Sequence, residues 1–170
     1  MHQQQHNLEL AARLGAALQA RALWVATAES CTGGGIATVI TEIAGSSGWF
    51  DRSFVTYTNE AKQEMLGVQA ATLERHGAVS ESVVLEMARG ALARSRADLA
   101  VAVSGIAGPG GGSELKPVGT VWFAWACRDG RSEALLARFD GDRHGVRQQA
   151  VGQALSGLLA LVTQNRLDTV

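Results

Sequence analysis

The sequence predicts a single α/β domain, a three-layer α/β/α sandwich around a mixed sheet. Three observations carry that expectation. Short apolar runs at residues 22–28 and 99–103 have the length and pattern of strands buried on both faces. Segments with apolar residues at helical spacing lie between such runs. Two late strand-like runs meet at Asp129-Gly130, a hairpin signal, which adds antiparallel strands to a sheet otherwise fed by helical crossovers. No repeat, linker or compositional break divides the 170 residues, so one domain over 1–170 is expected, with residues 1–7 disordered.

The elements follow in order. Leu10, Leu14, Ala17 and Leu18 mark an amphipathic helix over residues 8–21, and the strand at 22–28 ends on Glu29-Ser30. Helical spacing resumes through Ile36, Val39, Ile40 and Ile43 until Gly45-Ser46-Ser47-Gly48 breaks it. Residues 53–58 read as a second strand, with Asn59 as N-cap of a helix reaching Leu66. A short helix is expected over 70–75, and Ser80 caps a longer one carrying Val83, Val84, Met87 and Leu92. The strand at 99–103 runs into a glycine-rich loop, residues 104–113. Strands at 118–127 and 132–139 form the hairpin, and a long helix over 143–163 closes the fold.

Composition excludes several classes. The formal net charge of −1 offers no basic footprint for nucleic acid. Two cysteines, Cys31 and Cys127, are too few for a disulfide framework, and no Cys/His set has zinc spacing, so neither metal nor cofactor is expected. The first residues lack the pattern of a signal peptide, and no stretch of about 18 uncharged apolar residues exists to span a bilayer. A cytoplasmic location is the resulting expectation. The cations are more telling: 13 arginines against two lysines, Lys62 and Lys116. Where arginine is the default, a retained lysine is either a leftover surface cation or a residue kept where a proton must be lost.

Three polar or glycine-rich segments, 29–35, 57–62 and 104–113, sit at predicted strand ends, where open α/β sheets bind ligands. Ser30 lies where a buried strand turns into a helix. Its hydroxyl there adjoins the free amides of the first turn, and the amides of Cys31, Thr32, Gly33 and Gly34 are candidates to hold an oxyanion or a phosphate. The same placement equally suits a helix cap. Lys62, in the first turn of its helix, faces the unfavourable end of the dipole, which together with burial lowers an amine's pKa. Such an amine can deprotonate a serine, with Tyr57, the one tyrosine, relaying the proton or holding the ammonium. Tyr57 and Lys62 are five apart rather than four, about 140° around a helix, so Tyr57 lies off that helix. No G-x-G-x-x-G occurs, and Ser113-Glu114-Leu115-Lys116 matches S-x-x-K only by chance, because Pro117 follows at once. Arg143 and Arg147 can offer guanidinium groups to a phosphate, or pair with Asp140 and Asp142. Cys31, at a helix start where thiols can be acidified, is read as packing.

Four ordered motifs resemble the CinA C-terminal-domain family: Ala28-Glu29-Ser30-Cys31-Thr32-Gly33-Gly34; Val55-Thr56-Tyr57-Thr58-Asn59-Glu60-Ala61-Lys62 with Leu66-Gly67-Val68; Ser104-Gly105-Ile106-Ala107-Gly108-Pro109-Gly110-Gly111; and Gly141-Asp142-Arg143 with Val146-Arg147. The resemblance covers residues 8–161 and is closest to the stand-alone form. It implies a metal-free serine amidohydrolase that converts nicotinamide mononucleotide to nicotinate mononucleotide and ammonia. By the same resemblance the catalytic residues are Ser30, Lys62 and Tyr57. The implied substrate-binding set is Glu29, Cys31, Thr32, Gly33, Gly34, Asn59, Ser104, Gly105, Gly108 and Arg143. Ser104 stands where many members carry threonine, and Arg143 is the residue expected to meet the phosphate. A homodimer is the family-level expectation. The rival reading is a catalytically silent nucleotide-binding module of the same fold, since some members are inactive.

Overall fold

The computed structural model describes residues 1–164; the last six residues of the expected 1–170 domain lie outside the described residues. Five strands form one sheet: β1 (Val25–Glu29), β2 (Phe50–Val55), β3 (Leu99–Gly105), β4 (Thr120–Cys127) and β5 (Ser132–Arg138), in the order β2-β1-β3-β4-β5. β1 runs parallel to both β2 and β3, while β4 and β5 are antiparallel additions, so the sheet is mixed. The helices are α1 (His2–Ala20), α2 (Gly35–Thr41), α3 (Asn59–Leu66), α4 (Ala70–His76), α5 (Glu81–Ala93) and α6 (Arg143–Thr163).

Side-chain size divides the two faces of the sheet. Leu99, Val101 and Val103 of β3, with Val121, Phe123 and Trp125 of β4, face α1, α2 and α6. The alternate residues, Ala26, Ala28, Ala100, Ala102, Ala124 and Ala126, face α5 with α3 and α4. Alanine on a strand leaves little volume to fill, so α5 lies close over the second face, presenting Val83, Val84, Met87, Ala88 and Ala91. Glycine serves the next contact: a Cβ at Gly90 of α5 would collide with the Leu66 carbonyl at the end of α3. The helix that carries Lys62 is thus set against α5 through main-chain contact.

Strand β1 starts at Val25 rather than 22, β2 ends at Val55 rather than 58 and β4 starts at Thr120 rather than 118; four further differences from expectation have a visible cause. Residues 2–7, expected to be disordered, form the first turns of α1; the buried Asn7 accepts from Gln3 and donates 3.0 Å to the Gln148 carbonyl of α6, which ties them down. β2 begins at Phe50 rather than 53, because it is an edge strand on which the Asp51–Arg52 ion pair stays exposed and hides the strand pattern. Thr58, not Asn59, caps α3, accepting from the Ala61 amide at 3.0 Å. Finally, α2 starts only at Gly35, four residues of turn beyond Cys31.

That last shift follows from Glu29. Its side chain is wholly buried, and its carboxylate accepts from the Ile36 and Ala37 amides at 2.9 and 3.0 Å. The hydroxyls of Thr32, Thr27 and Ser53 lie 2.7, 3.1 and 3.2 Å from it. A strand-end carboxylate thereby occupies the free amides of the helix that follows, where the dipole favours a negative charge.

Two outcomes are expected. Gly90→Ala forces α3 and α5 apart against main-chain atoms and lowers stability by about 2 kcal/mol, read as a fall in denaturation midpoint. Glu29→Gln removes the charge from a buried set of donors and lowers stability by about 2 kcal/mol, measured by urea unfolding.

Candidate active site

The three polar segments converge. A cleft of about 270 Å³ opens beyond the carboxyl ends of the parallel strands, lined by Ser30 and Cys31 after β1, Tyr57, Asn59 and Lys62 after β2, and Ser104 to Gly108 at the end of β3 and just beyond it. Ala78 and Val79, between α4 and α5, close one wall, and Gly110, Gly111 and Arg143 the other. Ala78, Val79 and Ile106 carry no chemical signature in the sequence and were not foreseen. Strand order explains the location: β1 is flanked by β2 on one side and β3 on the other, so the connections leaving the two strands diverge and leave a crevice.

Lys62 is the centre of the cleft floor. Its side chain is 1% exposed, and Nζ lies 3.0 Å from Ser30 Oγ, 2.9 Å from the Thr56 carbonyl and 3.0 Å from the Tyr57 carbonyl. Among the described residues no carboxylate pairs with it. Burial therefore pushes its pKa below the ordinary lysine value. The partner set suits the neutral amine: two N–H groups point at the two carbonyls, and the lone pair is left for the Ser30 hydroxyl. Cys31 behaves in the opposite sense to an activated thiol, since burial raises its pKa to about 11. It packs in the core cluster beside α6.

Tyr57 contributes differently from expectation. Its carbonyl touches Lys62 and lies 3.4 Å from Ser30 Oγ, while its ring is 57% exposed. The phenol oxygen accepts 3.0 Å from Arg143, so the ring leans towards α6 and away from the dyad. Of Tyr57, it is the carbonyl that meets the Lys62 amine, because a carbonyl and a ring leave the backbone in different directions. Arg143 also donates 2.8 Å to the Gly108 carbonyl. It pairs with neither Asp140 nor Asp142; the Asp142 carboxylate instead caps α6 at the Gly145 amide.

Of the expected substrate-binding residues, Cys31, Asn59, Ser104, Gly105, Gly108 and Arg143 line the cleft. Glu29, Thr32, Gly33 and Gly34 do not. Glu29 and Thr32 bond to each other within the α2 cap. Gly33 donates to the Ser30 carbonyl at 3.0 Å, closing a turn that carries residues 32–34 away from the opening. The expected row of free amides reduces at the cleft to that of Cys31, which has no oxygen acceptor among the described residues. Arg147, one helical turn after Arg143, bonds the Cys31 and Thr32 carbonyls, both at 3.1 Å. Ser113 and Lys116 form only a turn, with Lys116 Nζ 2.8 Å from the His76 carbonyl.

Residues 7–162 match the model of the CinA C-terminal domain. A relative from Escherichia coli (strain K12), named nicotinamide-nucleotide amidohydrolase PncC, is 59% identical over 158 residues, covering 93% of this chain and 96% of its own. One of the same name from Pseudomonas putida is 55% identical over 156 residues, covering 91% and 96%. The crystal structure of competence/damage inducible protein CihA from Agrobacterium tumefaciens superposes with a TM-score of 0.90 at 54% identity, covering 92% of this chain and 95% of its own. With a cleft built from the same four motifs that carry the sequence resemblance, the chain belongs to the CinA C-terminal domain family.

Proposed function

We propose that this protein hydrolyses the carboxamide of nicotinamide mononucleotide, giving nicotinate mononucleotide and ammonia in pyridine nucleotide salvage. The observation that carries the chemistry is the buried Lys62 amine, 3.0 Å from Ser30 Oγ and held by two carbonyls with no carboxylate near. The substrate comes from the relatives named nicotinamide-nucleotide amidohydrolase, which share 55–59% of this sequence over nearly their whole length.

Neutral Lys62 takes the proton of Ser30 as Oγ bonds to the carboxamide carbon. The tetrahedral oxygen accepts from the Cys31 amide, the donor that follows the nucleophile directly in the chain. As the C–N bond breaks, the Lys62 ammonium gives its proton to the leaving nitrogen, and ammonia departs. A water then attacks the acyl-enzyme and gives a proton to Lys62; as the ester bond breaks, Lys62 returns that proton to Ser30 Oγ, and the acid product loses its own proton to solvent to leave as the carboxylate. The two carbonyls on Nζ accept in either protonation state, so the amine stays in place through both transfers.

Arg143 supports an anionic substrate. Its guanidinium stands at the cleft mouth with only neutral partners, the Gly108 carbonyl and the Tyr57 phenol, so its charge is uncompensated by any side chain it touches. That matches the phosphate of a mononucleotide and not the free base nicotinamide. The Tyr57 ring then has a holding role towards Arg143.

Three results test this reading. Ser30→Ala and Lys62→Arg each lower ammonia release by about 10³-fold or more; the arginine variant keeps the charge but cannot act as base. The kcat/KM of the wild type rises with pH while Lys62 loses its proton and then levels, with the rising limb centred below the ordinary lysine pKa because burial lowers it. Arg143→Ala raises KM for the mononucleotide far more than it changes turnover. Wild-type protein that binds the mononucleotide without releasing ammonia supports the silent binding module instead.

A further inference from the structure

We propose that Arg147 is a positioning residue for the acyl-transfer step, clamping the main chain that carries the Ser30 hydroxyl and the Cys31 amide. The inference rests on the amidohydrolase reading above.

The Ser30 amide donates 3.1 Å to the Val103 carbonyl, which fixes the plane before Ser30. The Ser30 carbonyl accepts 3.0 Å from Gly33, which fixes the plane shared with the Cys31 amide. The next carbonyl, that of Cys31, finds no main-chain donor among the described residues; Arg147 Nε takes it at 3.1 Å. The Thr32 carbonyl accepts 2.9 Å from Gly35 and 3.1 Å from an Arg147 Nη. A peptide unit is rigid, so holding the planes on both sides of Cys31 fixes the direction of its N–H. Of these restraints, Arg147 supplies the one that the backbone does not.

The restraint is needed because the turn is soft. Gly33 and Gly34 adopt φ of 59° and 93°, a region open to glycine, and a glycine pair leaves the turn many alternatives once a contact is lost. Guanidinium suits the task, since its planar fork meets two successive carbonyls at once and keeps its charge at any working pH. Arg147 is absent from the lining of the cleft holding Ser30 and Lys62; it lines an adjoining groove with Pro109, Val118 and His144, which shares Ala107 and Arg143 with that cleft, and its guanidinium bonds the Cys31 and Thr32 carbonyls. It therefore acts on the reaction through the Cys31–Thr32 main chain.

The test compares Arg147→Ala and Arg147→Lys with wild type in ammonia release from nicotinamide mononucleotide. In parallel, the rate of Ser30 modification by a fluorophosphonate probe is followed; there the Ser30 Oγ–P bond forms, fluoride leaves, and the proton passes to Lys62. The clamp predicts that Arg147→Ala lowers kcat by about 100-fold, with KM within twofold and the thermal midpoint within a few degrees of wild type. The probe rate falls in parallel. Arg147→Lys, a point donor that cannot span both carbonyls, recovers only part of the loss. Unchanged kcat with a raised KM overturns the proposal in favour of direct substrate contact from the neighbouring groove. Full recovery by Arg147→Lys overturns it in favour of charge alone, and wild-type kcat in Arg147→Ala overturns it outright. Should the wild type release no ammonia, the amidohydrolase reading fails by itself, while the probe rates still decide whether Arg147 sets the reactivity of Ser30.

Discussion

A lysine amine enclosed without a carboxylate is the constraint around which this molecule is arranged. Placing Nζ among two carbonyls and a hydroxyl satisfies its hydrogen bonds yet leaves a proton's charge uncompensated, so burial favours the neutral base. Holding such a group requires the surrounding main chain to be immobile. Thr56 and Tyr57 provide the carbonyls because the chain stays bonded to β1 past the end of β2, through the Thr56 amide and the Glu29 carbonyl at 2.8 Å. The helix bearing Lys62 is set by main-chain contact against Gly90. A side-chain spacer at either place would add freedom where the chemistry cannot tolerate it.

Glu29 resolves a conflict that the neighbouring serine creates. A strand running straight into a helix offers its first amides to whatever lies beside them, and here an acid stands next to the Ser30 that lines the cleft. Burying the carboxylate under α2 removes it from the cleft and spends those amides on helix capping. The turn carrying Ser30 is thereby separated from the helix, and of the amides of residues 31–34 only that of Cys31 belongs to a residue lining the cleft. The Glu29 carboxylate and the Ser30 hydroxyl are neighbours in sequence, yet only Ser30 lines the cleft.

Much of this was legible in the sequence where the cause is local. The bounds of α6, the cap at Ser80 and the Asp129-Gly130 hairpin follow from residues within a few positions, and they stand where expected. The meeting of Ser30 with Lys62 was expected from the resemblance of their motifs to the CinA C-terminal-domain family, since strand ends and the rarity of lysine left a helix cap and a surface lysine equally open. What was hidden depends on direction or on distant partners. Sequence spacing says that Tyr57 lies near Lys62 but not whether its carbonyl or its ring turns inward. The ring's partner, Arg143, is 86 residues away. Glu29 reads as a ligand because it sits beside a nucleophile, and only the third dimension reveals the amides of Ile36 and Ala37 above it. Residues 2–7 look polar enough for disorder, and their order comes from Asn7 reaching α6 from the other end of the chain.

The first turns of α6 link these threads. Arg143 and Arg147 are four residues apart and so emerge from one side of the helix, one turn above the other. The first reaches the loops after β3 and β2, through the Gly108 carbonyl and the Tyr57 phenol. The second reaches the turn after β1. All three strand-end segments that make the cleft are therefore held from a single helix terminus whose own position is set by the large-residue face of the sheet, where Val146, Ala150 and Val151 are buried. Three loops that each belong to a different strand have no local reason to keep a common geometry. Two arginines on one rigid helix supply that reason, through partners that are all neutral.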